Sequence, residues 1–220
     1  MNNLEAHLVL FASVEGGSVF WTHEVETHGA KEVVQKVIEG GYDLAASEKT
    51  ISKITSQNSI SLRNEIRESG ATFLIKEDSG WPKGLNDLSA PPFGLIVKGN
   101  IDSISADALA IVGTRNPTNY GVRIAGEFAA GFVDRDWLII SGGAYGIDAA
   151  AHRGALIAEG ATIAVLASGI NVNYPAGHVQ LFAELCESGA LISEVMPSVS
   201  AIPARFLTRN RLIAAISKST

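Results

Sequence analysis

Apolar and polar positions change rhythm about a third of the way along the chain. Up to about residue 65 the apolar residues recur at helical spacing. Leu8, Leu10 and Phe11 fall on one segment, and Val33, Val34, Val37 and Ile38 on another. Gly16-Gly17 and Gly40-Gly41 punctuate these segments, so residues 1–65 are predicted to form a small all-helical domain. Residues 66–103 read as a connector with two short strand-like runs, at 72–75 and 94–97, separated by Trp81-Pro82 and Pro91-Pro92. From about residue 104 a regular alternation sets in. Continuous apolar runs at 108–112, 137–140, 161–166 and 190–193 have the character of strands buried on both faces. Helical patterns over 120–134, 146–159 and 177–188 separate them. Strand and helix alternating at this spacing imply βαβ units and a parallel sheet. The predicted fold class is α/β: an extended Rossmann-like, mostly parallel sheet over residues 104–220, with helices on both faces and the small helical domain in front.

That architecture directs attention to the carboxyl ends of the strands, where open parallel sheets bind their ligands. After the run at 137–140 comes Ser141-Gly142-Gly143-Ala144-Tyr145-Gly146. Adjacent glycines let a backbone approach an anion closely, and the following helix N-terminus attracts one. The spacing is neither a dinucleotide fingerprint nor a P-loop. The plain alternative is a tight turn whose glycines only make the backbone fit. Gly113-Thr114-Arg115 ends the run at 108–112, where a planar guanidinium can fork onto phosphate. The densest basic stretch is Arg205-Phe206-Leu207-Thr208-Arg209-Asn210-Arg211. Arginines with an aromatic among them suit a single strand, by phosphate pairing and base stacking. The alternative places Phe206, Leu207, Leu212 and Ile213 in the core.

Composition sharpens this picture. The net charge is −6 and the isoelectric point about 5.4, which counts against a nucleic-acid binder when averaged over the chain. The charge is unevenly spread, however. Residues 1–50 hold eight acids and three lysines, whereas residues 195–220 hold Arg205, Arg209, Arg211 and Lys218 without any acid. Cys186 is the only cysteine, so neither a disulfide framework nor a cysteine metal cluster is expected. His7, His23 and His28 lack ligand spacing and read as surface or packing residues, and Trp21, Trp81 and Trp137 as core anchors. No apolar run is long enough to span a membrane and the N-terminus lacks a basic leader, so a cytoplasmic protein without metal or cofactor is expected.

Ser141, Asp148 and His152 have the composition of a hydrolase triad. A nucleophile elbow is missing, because residue 139 is Ile. Asp148 is expected to pin its helix and His152 to pack against the loop, with no catalytic residue. A nucleotide phosphoribohydrolase and a small-nucleotide sensor are the competing readings of the glycine loop; the first lacks the glutamate its motif requires.

Several blocks together resemble a known family. Ile111-Val-Gly-Thr-Arg115 with Tyr120-Gly121, the run from Ile140 to Leu156, Thr162 to Gly169, Tyr174-Pro-Ala-Gly-His178, Leu191-Ile-Ser-Glu194 and Phe206 to Ile213 are similar to the DNA-processing protein A (DprA/Smf) family, in its order, over about residues 72–217. The resemblance implies single-stranded DNA binding, delivery of the strand to the recombinase RecA during natural transformation, and a homodimer in the full-length protein. By motif it assigns DNA contact to Gly113, Arg115, Ser141, Gly142, Gly143, Arg209, Asn210 and Arg211, beside the stacking candidate Phe206. It also implies further sheet segments after Thr220, so this chain is expected to be truncated and its sheet to lack edge strands.

Overall fold

The computed structural model describes residues 1–42 and 47–220. Five helices open the chain: α1 (Asn3–Ser13), α2 (Val19–His28), α3 (Ala30–Ile38), α4 (Glu48–Ser56) and α5 (Ser59–Glu68). Local chemistry sets their ends. Asn2 and Glu5 form a reciprocal capping box at α1, each side chain accepting the other's backbone N–H at 2.9 Å. On α3, Val33, Val34 and Val37 are buried as their spacing predicts, while Ile38 turns to solvent at 55% exposure.

Six strands then form one sheet in the order β1-β2-β6-β5-β4-β3. They are β1 (Thr72–Leu74), β2 (Leu95–Gly99), β3 (Ala108–Ala110), β4 (Leu138–Ser141), β5 (Thr162–Leu166) and β6 (Ala190–Ser193). β3 to β6 run parallel, β2 is antiparallel to β6, and β1 antiparallel to β2. The connector is therefore part of the sheet. Its two runs supply strands that cap the β6 side, with Ile96 opposite Ser193 and Thr72 opposite Val97.

Helices α6 (Asn119–Val133), α7 (Ile147–Ile157) and α8 (Val179–Ser188) are the crossovers between successive parallel strands. Because the strands are added in one direction, same-handed crossovers all fall on one face. Strand alternation shows it: Leu109 and Ile139 pack with α6 and α7, and Ala164 and Leu191 with α8. Their neighbours Ile140, Ile163, Val165 and Ile192 face the other way, onto Leu85, Leu212 and Ile213. Leu212 and Ile213 belong to α9 (Pro203–Ile216), the helix of that second face. α6 and α7 touch backbone to backbone, since a Cβ on Gly154 would lie 2.4 Å from the Gly126 carbonyl oxygen.

The helical unit is not a separate bead. Leu8, Leu10, Phe11, Trp21, Val33 and Val34 share one apolar cluster with Ile96, Leu166, Leu181, Phe182 and Leu185. Phe11 meets Phe73 edge-on at 5.1 Å, and His7 Nδ1 bonds the Phe93 carbonyl at 2.9 Å.

The outer edge of β3 differs from the expected bare edge. After α9 the chain returns alongside it, Lys218 N–H donating to Ala108 O and Ala110 N–H to Ser219 O, both at 2.8 Å, in parallel orientation. That pairing occupies backbone groups at the outer edge of β3.

Candidate nucleic-acid interface

The loops after β3, β4 and β5 meet at the carboxyl edge of the sheet, and Asp148 organises two of them. It sits in the first turn of α7 and is buried. Its carboxylate accepts N–H bonds from Gly142 at 3.2 Å, Ala144 at 3.3 Å and Gly113 at 3.4 Å. Burial raises its pKa, against the lowering pull of these amides and of Arg209. The consequence for the glycine turn is direct. Two of the amides expected to cradle an anion, those of Gly113 and Gly142, are already spent on an internal carboxylate. The Gly143 amide has no acceptor among the described residues.

Arg209 supports the same turn from below. It lies on α9, 6% exposed. Its Nη1 donates to Gly142 O at 2.6 Å and to Val165 O. Only glycine fits opposite it, because a Cβ at residue 142 would stand 2.2 Å from that nitrogen. Burial, with Arg115 adding to it, brings the Arg209 pKa down to about 10, still above neutrality, so the buried guanidinium stays charged. The expectation that Arg209 faces DNA is thus corrected: its side chain braces the loop. Ser141 is fully buried and donates its hydroxyl to Ile111 O at 2.6 Å. The Gly143 carbonyl accepts from His178 Nδ1–H at 3.0 Å.

What remains open is a cleft of about 320 Å³ lined by Arg115, Gly142, Tyr145, Asn173, Tyr174 and Phe206. The Arg115 guanidinium stands 4.8 Å over the Phe206 ring, and Phe206 leans on Tyr174 with centroids 5.3 Å apart. Among the described residues no carboxylate lines this cleft. Of the sequence-predicted site residues, Arg115, Gly142 and Phe206 come together here, with Ser141, Gly143 and Arg209 beneath them. Gly113 lies on the adjoining loop, packed against Ile147. Asn210 is exposed but outside the lining. Arg211 is turned away into an ion pair with Glu194, a carboxyl whose pKa burial pushes up to about 7. The reason is geometric: consecutive positions 209, 210 and 211 point about 100° apart around α9, so one polar run serves three different surroundings.

Sequence reasoning missed Tyr145, Asn173 and Tyr174. Their signal was present: one aromatic inside the glycine turn, another in the Asn173-Tyr174-Pro175 turn after β5. The supposed catalytic set does not assemble. His152 is fully buried and bonds Thr162 Oγ1 at 2.7 Å, on β5 rather than on the loop. Burial holds its pKa down at about 3, so it is neutral.

Fold and site together define a Rossmann-like α/β protein with an open, cationic and aromatic cleft beyond its parallel strands. Comparison with known proteins narrows this. Residues 72–220 match the family model described as DNA recombination-mediator protein A. A DNA processing protein DprA of Mycobacterium tuberculosis is 50% identical over 163 residues, covering 68% of this chain and 42% of its own length. DNA processing protein DprA of Bacillus subtilis is 33% identical, over 69% of this chain and 52% of its own. The chain belongs to the DNA-processing protein A (DprA/Smf) family, and spans about half or less of the length of these relatives. The structure of Streptococcus pneumoniae DNA processing protein A shares the fold over 99% of this chain and 76% of its own, with TM-score 0.82 and 24% identity. That of the Helicobacter pylori protein, described for its single-stranded DNA binding mode, matches 68% of this chain and 67% of its own, with TM-score 0.61 and 30% identity. No helix among the described residues is long and apolar enough to cross a membrane.

Proposed function

We propose that the chain binds single-stranded DNA at the Arg115–Phe206 cleft, gripping phosphate with the arginine and stacking a base on the aromatic rings. The observation that carries this is the pairing of an exposed guanidinium with Phe206 in a cleft that no carboxylate among the described residues lines, on a protein of net charge −6. Stacking is indifferent to base identity because every base has a π-face. The Helicobacter pylori relative, whose structure is described for this kind of binding, supports the reading. Delivery of the strand to the recombinase RecA, and a homodimer in the full-length protein, complete the proposal on the strength of the family.

The chemistry fits a binding protein better than an enzyme. Ser141 Oγ is engaged with a carbonyl and His152 with Thr162, so neither acts on a substrate in the cleft. No cofactor is called for.

The test is titration of labelled oligonucleotides of differing base sequence at two salt concentrations. Affinity is expected to fall steeply with salt. Arg115→Ala should weaken all base sequences alike, and Phe206→Ala should cost about 1–3 kcal/mol per stacked base. Binding that ignores salt, or an Arg115→Ala effect confined to one base sequence, would refute the proposal.

A further inference from the structure

Most arginines of this protein are already engaged. Arg63, Arg123, Arg205 and Arg211 pair with Glu5, Glu127, Glu15 and Glu194, Arg135 bonds the Gly131 carbonyl, and Arg209 is buried. Arg67, Arg115 and Arg153 remain: all three are exposed, and among the described residues none has a carboxylate partner. Arg67 lies apart on α5, whereas Arg115 and Arg153 come together. They share a second cleft, of about 430 Å³, lined by Arg115, Pro117, Val122, Tyr145, Arg153 and His178. Among the described residues no carboxylate lines it either.

Tyr145 is the wall common to both clefts. Its ring is 49% exposed and is held edge-on to His178 at 4.6 Å, with its hydroxyl 2.7 Å from where a Cβ on Gly177 would stand. A half-exposed ring fixed in this way is a platform with two sides, one over each cleft. The acid-free surface ends at Arg153, because Glu184, bonded to Gln180, lines the next depression along α8.

From this arrangement we infer a second nucleotide subsite: the strand crosses Tyr145 from the Arg115–Phe206 cleft and sets its next phosphate on Arg153. The inference rests on the single-strand reading above and deepens it. It assigns the direction of the path, away from α9 and across the N-terminal half of α7, and gives Arg153 and Tyr145 roles in holding the strand. An exposed guanidinium–phosphate contact contributes at most modestly to affinity, but it releases counterions in proportion to the charge neutralised.

The experiment compares Arg153→Ala, Arg153→Lys and Arg115→Ala with the unsubstituted chain, using a thymidine dinucleotide and a long oligothymidylate across a salt series. Arg153→Ala should weaken the long strand about fivefold at low salt. It should also make the salt slope shallower by about 0.7, the value of one single-strand phosphate. Dinucleotide binding should be unchanged, and Arg153→Lys should keep the slope. If Arg153→Ala binds the long strand with unaltered affinity and slope while Arg115→Ala does not, the second subsite is wrong and the first cleft stands. If Arg153→Ala weakens dinucleotide and long strand equally, the separate subsite is also wrong. Should the unsubstituted chain show no salt-dependent binding, both readings fall together.

Discussion

Arg209 shows what a single side chain can hide. Its donors meet the carbonyls of Gly142 and Val165, and its charge faces the buried Asp148. Replacing it with leucine strands two carbonyls without a donor and a buried carboxyl without its cation. Breaking a buried charge pair in this way typically costs about 3–5 kcal/mol. For a domain of this size Arg209→Leu is expected to lower Tm by roughly 6–20 °C, read by calorimetry. Arg115→Leu, at an exposed site, should leave Tm within about 2 °C. Equal losses would mean that Arg209 is not the brace described. Its burial was partly legible. Arg209, Leu212, Ile213 and Ile216 recur at helical spacing, and the latter three face inward or are half-buried. A basic residue in a motif associated with DNA is more readily assigned to the ligand than to the core, and nothing in the local pattern shows that strand-end carbonyls await it.

Among the elements, the positions of β3 to β6 were readable because strands buried on both faces leave uninterrupted apolar runs. β3 is shorter than its run, ending at Ala110, because Ile111 and Val112 lead into the loop that Asp148 ties down. β1 and β2 were visible as runs, but not as members of the main sheet. Their register joins Ile96 to Ser193, and such long-range antiparallel pairing has no local signature. In the sequence α9 reads as a basic stretch with an aromatic, or as core through Phe206, Leu207, Leu212 and Ile213; Leu212 and Ile213 are buried, whereas Leu207 is exposed. In the structure it fastens the helical unit: Arg205 bridges to Glu15 at 2.7 Å, and Arg211 pairs with Glu194 beside Gly16. Glu194 makes this junction sensitive to pH. Its pKa in the folded chain, about 7, lies above the ordinary 4.5, so between those values the folded state holds the proton more tightly than the unfolded state. Its contribution to stability is therefore present at lower pH and lost as pH rises toward about 7. His152, whose pKa is depressed, acts in the opposite sense below about 6.5, so the measurement must be a difference. The denaturant stability of the unsubstituted chain minus that of Glu194→Gln should decline from pH 5 to pH 7.5. A difference flat in pH contradicts this account.

Over the whole molecule, composition misled and distribution informed. A net charge of −6 conceals two adjoining clefts that, among the described residues, no carboxylate lines. Charge averages cannot register that, because the sheet edge gathers residues from three distant loops and from α6, α7 and α9. The division into a helical domain, connector and sheet domain is also looser than the change of rhythm suggests, since one apolar cluster joins α1, α2 and α3 to β2, β5 and α8. Parts that share a core are expected to lose it together. Tryptophan fluorescence offers the check, because Trp21 lies in the helical unit while Trp137 packs on Phe132 beside α6. Variants retaining only one or the other should melt at the same temperature. Separated midpoints would show two independent bodies.

The apolar cluster that α1 and α8 share has a bearing on recognition. Phe182, a member of that cluster, also backs Gly143 and His178, directly behind the cleft wall. The wall cannot swing outward without tearing a hole in that close-packed interior. Under the proposed function the cleft would therefore act as a fixed mould, and a single strand would be the party that bends to fit.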